Sequence, residues 1–90
     1  MQTISIIVTG KVQGVYFRQH TKEKALMLGL TGEVKNLPDG SVCITATGFK
    51  PQIVELISWC RTGPSRANVT NVEVKELDLL FFDDFKIVRS

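Results

Sequence analysis

The 90-residue sequence is poor in several chemistries, and each shortage closes a class of function. It holds two cysteines, Cys43 and Cys60, in neither a CxxC pair nor a metal-ligand spacing, and one histidine, His20. One histidine and two distant cysteines fall short of a metal site. No apolar run approaches the ~20 residues that cross a bilayer. The N-terminal MQTISIIVTG has no basic segment and only a short apolar run, so it does not read as a signal peptide. Eleven basic residues stand against nine acidic ones, and they are scattered rather than gathered into the stripe of a nucleic-acid binder. No repeat or low-complexity tract appears. What remains is an expected single domain over residues 1–90, cytoplasmic and monomeric, with no membrane, nucleic-acid or metal partner. Its 43% hydrophobic residues suffice for one core.

What is present is a clear alternation of elements. Thr3 to Thr9 reads as a strand, with Ile4, Ile6 and Val8 on one face and Ser5, Ile7 and Thr9 on the other. After a loop from Gly10 to Tyr16, the spacing of Phe17, Thr21, Ala25 and Leu28 predicts a helix that Gly29 ends. Leu30 to Asn36 and Ser41 to Gly48 read as strands joined by LPDG, which is hairpin-turn chemistry. Pro51 suits the first turn of a second helix, whose stripe is Ile53, Leu56, Ile57 and Cys60 and whose end is TGP at Thr62 to Pro64. Val69 to Leu77 and Phe85 to Val88 complete the strands. The order predicts an α+β, ferredoxin-like βαββαβ sandwich. In it two helices cover one face of an antiparallel sheet, with a short extra C-terminal edge strand. Cys43 then faces away from the helices and Cys60 toward the core, so both are expected as free thiols.

The stretch GKVQGVYFR, Gly10 to Arg18, is the candidate site. A loop between a strand end and a helix start presents unpaired N–H groups and the positive end of the helix dipole. Successive loop amides form a concave nest for an anion, and glycines at 10 and 14 let the backbone turn tightly. Arg18 adds a planar fork matched to two phosphate oxygens, and Lys11 adds diffuse charge. The spacing is neither GxxxxGK[ST] nor GxGxxG, so no nucleotide cofactor is indicated. On residue types alone, the glycines serve equally well as conformational devices of a turn. Arg18 then reads as a solvated side chain and Asn36 as a turn former beside LPDG.

The same residues resemble a known family. TGKVQGVYFR is similar to the acylphosphatase signature GxVQGVxFR at Gly10, Val12, Gln13, Gly14, Val15, Phe17 and Arg18. TGEVKNLPDGSVCITATG resembles the family's second signature at Gly32, Val34, Asn36, Gly40, Val42 and Gly48, and Gly63 to Val74 resembles the stretch after its second helix. The resemblance implies hydrolysis of carboxyl-phosphate anhydrides to carboxylate and inorganic phosphate, without metal, cofactor or covalent intermediate. It implies that Arg18 grips the phosphoryl oxygens as the only charged clamp. The backbone N–H groups of Val12, Gln13, Gly14, Val15, Tyr16 and Phe17 would surround the same group, and Asn36 would position the attacking water. The implied partner is a small acyl phosphate, with inorganic phosphate or sulfate as site ligands. Glu33 departs from the pattern, because the family usually carries an aromatic residue after the glycine of the second block. A carboxylate there is expected to make the pocket rim less attractive to an anion.

Two rivals stand beside this reading. A non-catalytic anion-binding module of the same fold would need Arg18 but not the water-orienting amide of Asn36. An RNA-binding module of this topology would need exposed aromatics on the central strands, and those strands offer only Ile, Ser, Thr, Val, Cys and Ala. Outside the site, His20 is expected at the surface, the adjacent Asp83 and Asp84 point apart, and Asp39 and Asp78 are turn residues. Trp59 is expected as a partly buried packing residue. The run Leu79 to Phe82 is expected to pack the last strand onto the core, with a self-association patch as the alternative.

Overall fold

A computed structural model of the chain describes residues 1–89. Its elements are β1 (Gln2–Lys11), α1 (Phe17–Met27), β2 (Thr31–Asn36), β3 (Val42–Gly48), α2 (Lys50–Thr62), β4 (Asn68–Leu77) and β5 (Phe85–Val88). All seven match the expected elements in type and order, with no end shifted by more than two residues.

Five strands form one sheet in the order β4-β1-β3-β2-β5. β1 pairs antiparallel with both β3 and β4, and β2 pairs antiparallel with β3. β5 pairs parallel with β2, so the sheet is mixed rather than antiparallel throughout. The reason lies in the connection. β4 and β5 occupy opposite edges, and residues 78–84 carry the chain from one to the other. A tight turn would have returned β5 antiparallel beside β4; a crossing segment leaves its direction free.

The alternation in β1 decides which face is buried. Ile4, Ile6 and Val8 lie opposite Ala46, Ile44 and Val42 of β3, and all six are buried. α1 covers this face over β2 and β5, and α2 covers it over β1, β3 and β4. Phe17, first residue of α1, is buried with its ring 5.5 Å from that of Trp59 at 55°. A tilted pair of this kind adds about 0.5–1.5 kcal/mol to the burial itself, and it anchors the end of α1 that borders the loop. Thr21, buried one turn on, is satisfied by donating to the Phe17 carbonyl at 2.8 Å. Cys60 sits in this core and Cys43 on the opposite face, both as free thiols.

The run Leu79 to Phe82 does not pack into the core. It crosses the face away from the helices, where Leu79 and Leu80 stay exposed and Phe81 is 78% exposed. What holds it is polar. Thr3 and Thr47, paired across β1 and β3, share a hydroxyl hydrogen bond of 2.6 Å. The Leu80 N–H donates to the Thr3 hydroxyl at 2.9 Å, and the Thr47 hydroxyl donates to the Leu80 carbonyl at 2.8 Å. The crossing segment thereby seals two threonines that the alternation alone would leave in water.

Candidate active site

The strand directions create the site. β1 and β2 are both antiparallel to β3 and therefore run the same way, and β5 runs with β2. Three chain exits converge at one end of the sheet: the loop after β1, Asn36 at the end of β2, and Arg89 just past β5. Between them lies a pocket of about 370 Å³ lined by Val12, Gly14, Tyr16, Phe17, Arg18, Gln19, Asn36, Ile87 and Arg89. Asn36 is the third residue of the turn-side half of β2 and shares the helix face with Val34, two residues before it.

The loop is shaped by two left-handed residues. Gly14 has φ 73°, and Tyr16, the N-cap of α1, has φ 63° and ψ 25°. For Gly14 this conformation is free of penalty; for Tyr16 it costs about 1–2 kcal/mol. Alternating hands turn successive amides toward a common centre, which is how a backbone nest is made. Helix α1 begins with no side-chain cap and no acidic residue in its first turn. The first helical bond at this end is His20 N–H to the Tyr16 carbonyl at 3.1 Å. The amides of Phe17, Arg18 and Gln19 lie ahead of it, at the positive end of the helix dipole, and all three residues line the pocket.

Of the eight residues expected at the site, six line the pocket together: Val12, Gly14, Tyr16, Phe17, Arg18 and Asn36. The side chains of the other two turn elsewhere. Val15 is buried in the core. Gln13 reaches from the loop to the β2–β3 turn, where its amide donates to the Leu37 carbonyl at 2.9 Å and to the Ser41 carbonyl at 2.8 Å. That turn begins one residue after Asn36. It is also held by Leu37 N–H to the Ser41 carbonyl at 2.9 Å and Gly40 N–H to the Leu37 carbonyl at 3.1 Å. Asp39 accepts from the Ser41 N–H at 2.9 Å and the Ser41 hydroxyl at 2.6 Å. Those two hydrogen bonds hold its carboxyl below the ordinary value, the hydroxyl's first. Gln13 thus ties the loop to the strand end that carries Asn36.

Asn36 presents the second half of the site. Its side-chain oxygen is buried and accepts no hydrogen bond from any described residue. A buried amide oxygen without a partner costs about 1–3 kcal/mol, and here it belongs to a residue in the wall of the pocket that Arg18 and Arg89 also line.

Two expectations are corrected. Arg18 is not the only charged group: Arg89 lines the same pocket, as do Ile87 and Gln19. The signal for Arg89 was its spacing, two residues past Ile87 on the same strand face, but only the pairing of β5 with β2 gives that spacing a location. Glu33 does not stand at the rim. It pairs across from Thr45 and Lys86 on the face away from the helices, and lines a separate pocket with Gly32, Phe81, Phe82, Asp83, Asp84, Lys86 and Val88. Lys11 is exposed and does not line the site pocket. His20 is at the surface beside Glu23, at 3.5 Å. Among the described residues no three His, Cys, Asp or Glu side chains gather, and no helix is long and apolar enough to cross a membrane.

Among the described residues the lining offers two guanidinium groups, the helix-start residues Phe17 to Gln19 whose N–H groups precede the first helical bond, an unpartnered amide oxygen and no carboxylate. Chemically, such a lining can receive a small anion and hydrogen-bond a neutral molecule beside it. Comparison with known proteins agrees in length and shape. The family model described as Acylphosphatase matches residues 4–87. An acylphosphatase of Methylococcus capsulatus is 42% identical over 91 residues, covering 100% of this chain and 99% of that protein. One from Marinobacter nauticus is 51% identical over 82 residues, covering 90% and 89%. The solved structure of an acylphosphatase from Coxiella burnetii superposes with a TM-score of 0.94 at 41% identity, over 97% of this chain and 92% of that one.

Proposed function

The chain belongs to the acylphosphatase family and hydrolyses acyl phosphates, and from that premise we propose how its residues divide the work. The phosphoryl group sits in the loop, its oxygens facing the backbone N–H groups between Val12 and Phe17 and the guanidinium of Arg18. Asn36 holds the attacking water. The observation that carries this division is the Asn36 side-chain oxygen, buried and without a donor among the described residues, in the wall of the pocket that Arg18 also lines.

The water's oxygen forms the new bond to phosphorus while the bond from phosphorus to the acyl oxygen breaks. The electron pair leaves with the carboxylate, and both water protons remain on the phosphate, giving RCOO⁻ and H₂PO₄⁻ from RCO–OPO₃²⁻ and H₂O. The carboxylate needs no proton to depart, so no general acid is required. The transition state is loose, so fixed dipoles and a permanent cation supply most of what catalysis needs. An amide orients the water without placing a negative charge beside a dianion, which a carboxylate at position 36 would do. The reading takes no metal and no cofactor.

Two further observations support the proposed setting. All the proposed groups come from one chain, which suits a monomer of one domain over residues 1–90, and two free thiols suit the reducing cytoplasm. The partner is a small acyl phosphate, with inorganic phosphate or sulfate as competing site ligands, and neither membrane nor nucleic acid takes part.

The test is hydrolysis of benzoyl phosphate in excess chelator by the wild type, Arg18→Ala and Asn36→Ala. Arg18→Ala is expected to weaken phosphate inhibition and turnover together. Asn36→Ala is expected to lower kcat by at least about 100-fold with phosphate inhibition held within a few-fold. Loss of phosphate binding with kcat intact in Asn36→Ala would overturn the assignment of the water.

A further inference from the structure

The parallel pairing of β5 with β2 has a chemical result. Lys35 is level with Val88 in that ladder, so Arg89 comes one residue on, level with Asn36. Strand alternation puts residues 87 and 89 on one face, and both line the pocket. Neighbouring strands lie about 4.8 Å apart. Arg89 therefore enters the pocket from the β2–β5 side, next to Asn36, while Arg18 enters from α1. Neither arginine pairs with a carboxylate among the described residues, and no acidic side chain lines the pocket.

We propose that Arg89 is a second phosphoryl-binding cation of the site, acting from the side on which the water attacks. The proposal rests on the placement of phosphate and water given above. A dianionic phosphoryl group facing Arg18 alone keeps one negative charge without a cationic partner, and a second guanidinium supplies it. In-line displacement decides which part of the substrate Arg89 serves. The water and the departing carboxylate lie on opposite sides of phosphorus. A cation beside Asn36 is on the water's side, away from the acyl group, so it meets the equatorial oxygens rather than the leaving carboxylate. Arg89 is exposed whereas Arg18 is half-buried, so its attraction is the more strongly screened by salt.

The experiment measures the affinity of inorganic phosphate for the wild type, Arg89→Gln and Arg89→Lys by NMR titration at low salt and at about 0.5 M salt. Kinetics on benzoyl phosphate and 4-carboxybenzoyl phosphate run alongside. Arg89→Gln is expected to weaken phosphate about threefold to tenfold at low salt, with the difference shrinking toward unity at high salt. Arg89→Lys, which keeps the charge, is expected to stay within about twofold of wild type. The two substrates should lose kcat/KM by the same factor. Unchanged phosphate affinity in Arg89→Gln overturns the proposal, and so does a loss confined to 4-carboxybenzoyl phosphate, which would assign Arg89 to the acyl group. A wild type that neither binds phosphate nor hydrolyses benzoyl phosphate would instead overturn the underlying site reading. A wild type that does both while Arg89→Gln matches it removes Arg89 alone.

Discussion

The Gln13 side chain is where the structure makes its sharpest quantitative demand. Gln13→Met keeps the length and volume of the side chain and removes both donors, to the Leu37 carbonyl at 2.9 Å and the Ser41 carbonyl at 2.8 Å. Neither carbonyl is orphaned by the change. Leu37 O still accepts from the Gly40 N–H, and Ser41 O from the Leu37 N–H. The cost is therefore the net value of two hydrogen bonds, about 0.5–1.5 kcal/mol each, and not the larger penalty of a stranded buried acceptor. That gives about 1–3 kcal/mol. For a domain of this length the melting temperature should fall by roughly 5–15 °C. The functional effect has a different origin. With the tie gone, the loop and the end of β2 move independently, and a displacement of about 1 Å between water and phosphorus is worth up to ~100-fold in rate. Thermal unfolding by circular dichroism and benzoyl phosphate kinetics on the same sample read the two effects separately. Asp39→Ala serves as the control, since it loosens the same turn through Ser41 without touching the loop. The expected pattern is a loss of kcat of about 10- to 100-fold in Gln13→Met, with Asp39→Ala within a few-fold of wild type. If Gln13→Met melts lower but turns over like wild type, the tie stabilises the fold without aligning the two halves of the site. If its melting temperature is unchanged, the hydrogen bonds are not formed in solution.

Other consequences follow from single positions. Gly10, at φ 123° and beside the register shift of the β1–β4 ladder, would drive an added β-carbon into the Asn68 carbonyl. Gly10→Ala should cost at least about 1–3 kcal/mol from the backbone conformation alone, measured by urea unfolding, whereas a neutral result would contradict the close approach of the two strands. Burial pushes the Cys60 thiol up to about 12 from 9.0, with Arg61 opposing weakly. The raised folded value means its contribution is complete below pH 9.0 and is lost as pH rises toward about 12. Alkaline destabilisation should therefore be smaller in Cys60→Ala, after subtraction of that variant's loss of packing. A thiol reagent should label Cys43 in the native protein and reach Cys60 only on unfolding; two rapid native thiols would refute the assigned burial. Asp39 shifts the other way. Its lowered folded value makes its contribution complete above 3.8 and lost as pH falls through the folded value. Acid unfolding of Asp39→Asn should accordingly lack that component of the pH dependence below about pH 4.

The residues of each element were enough to predict that element, because alternation and helical spacing are carried by neighbours in the chain. Ile4, Ile6 and Val8 announced the buried face of β1, and Phe17, Thr21 and Ala25 that of α1. Gly10, Gly14 and Arg18 marked a turn that could hold an anion, and the two signature-like blocks joined that turn to Asn36. Tertiary structure decided what distant residues do together. The alternation of Phe85 to Val88 serves a parallel or an antiparallel partner equally, so nothing local could say that β5 runs beside β2 and delivers Arg89 level with Asn36. Gln13 was legible as part of the loop, but its side-chain acceptors lie 24 and 28 residues away. Leu79 to Phe82 looked like core by composition; the hydroxyls of Thr3 and Thr47, 77 and 33 residues away, hold its backbone against the open face instead. Glu33 sits near Asn36 in the chain yet on the other face, since a strand reverses its side chains at every residue and three steps end on the opposite side. The sequence determined the elements, their buried faces and the glycine-bearing turn before α1, because those depend on short-range periodicity and backbone freedom. Only the folded sheet decided which chain ends meet, because strand pairing is chosen by contacts that no local pattern encodes.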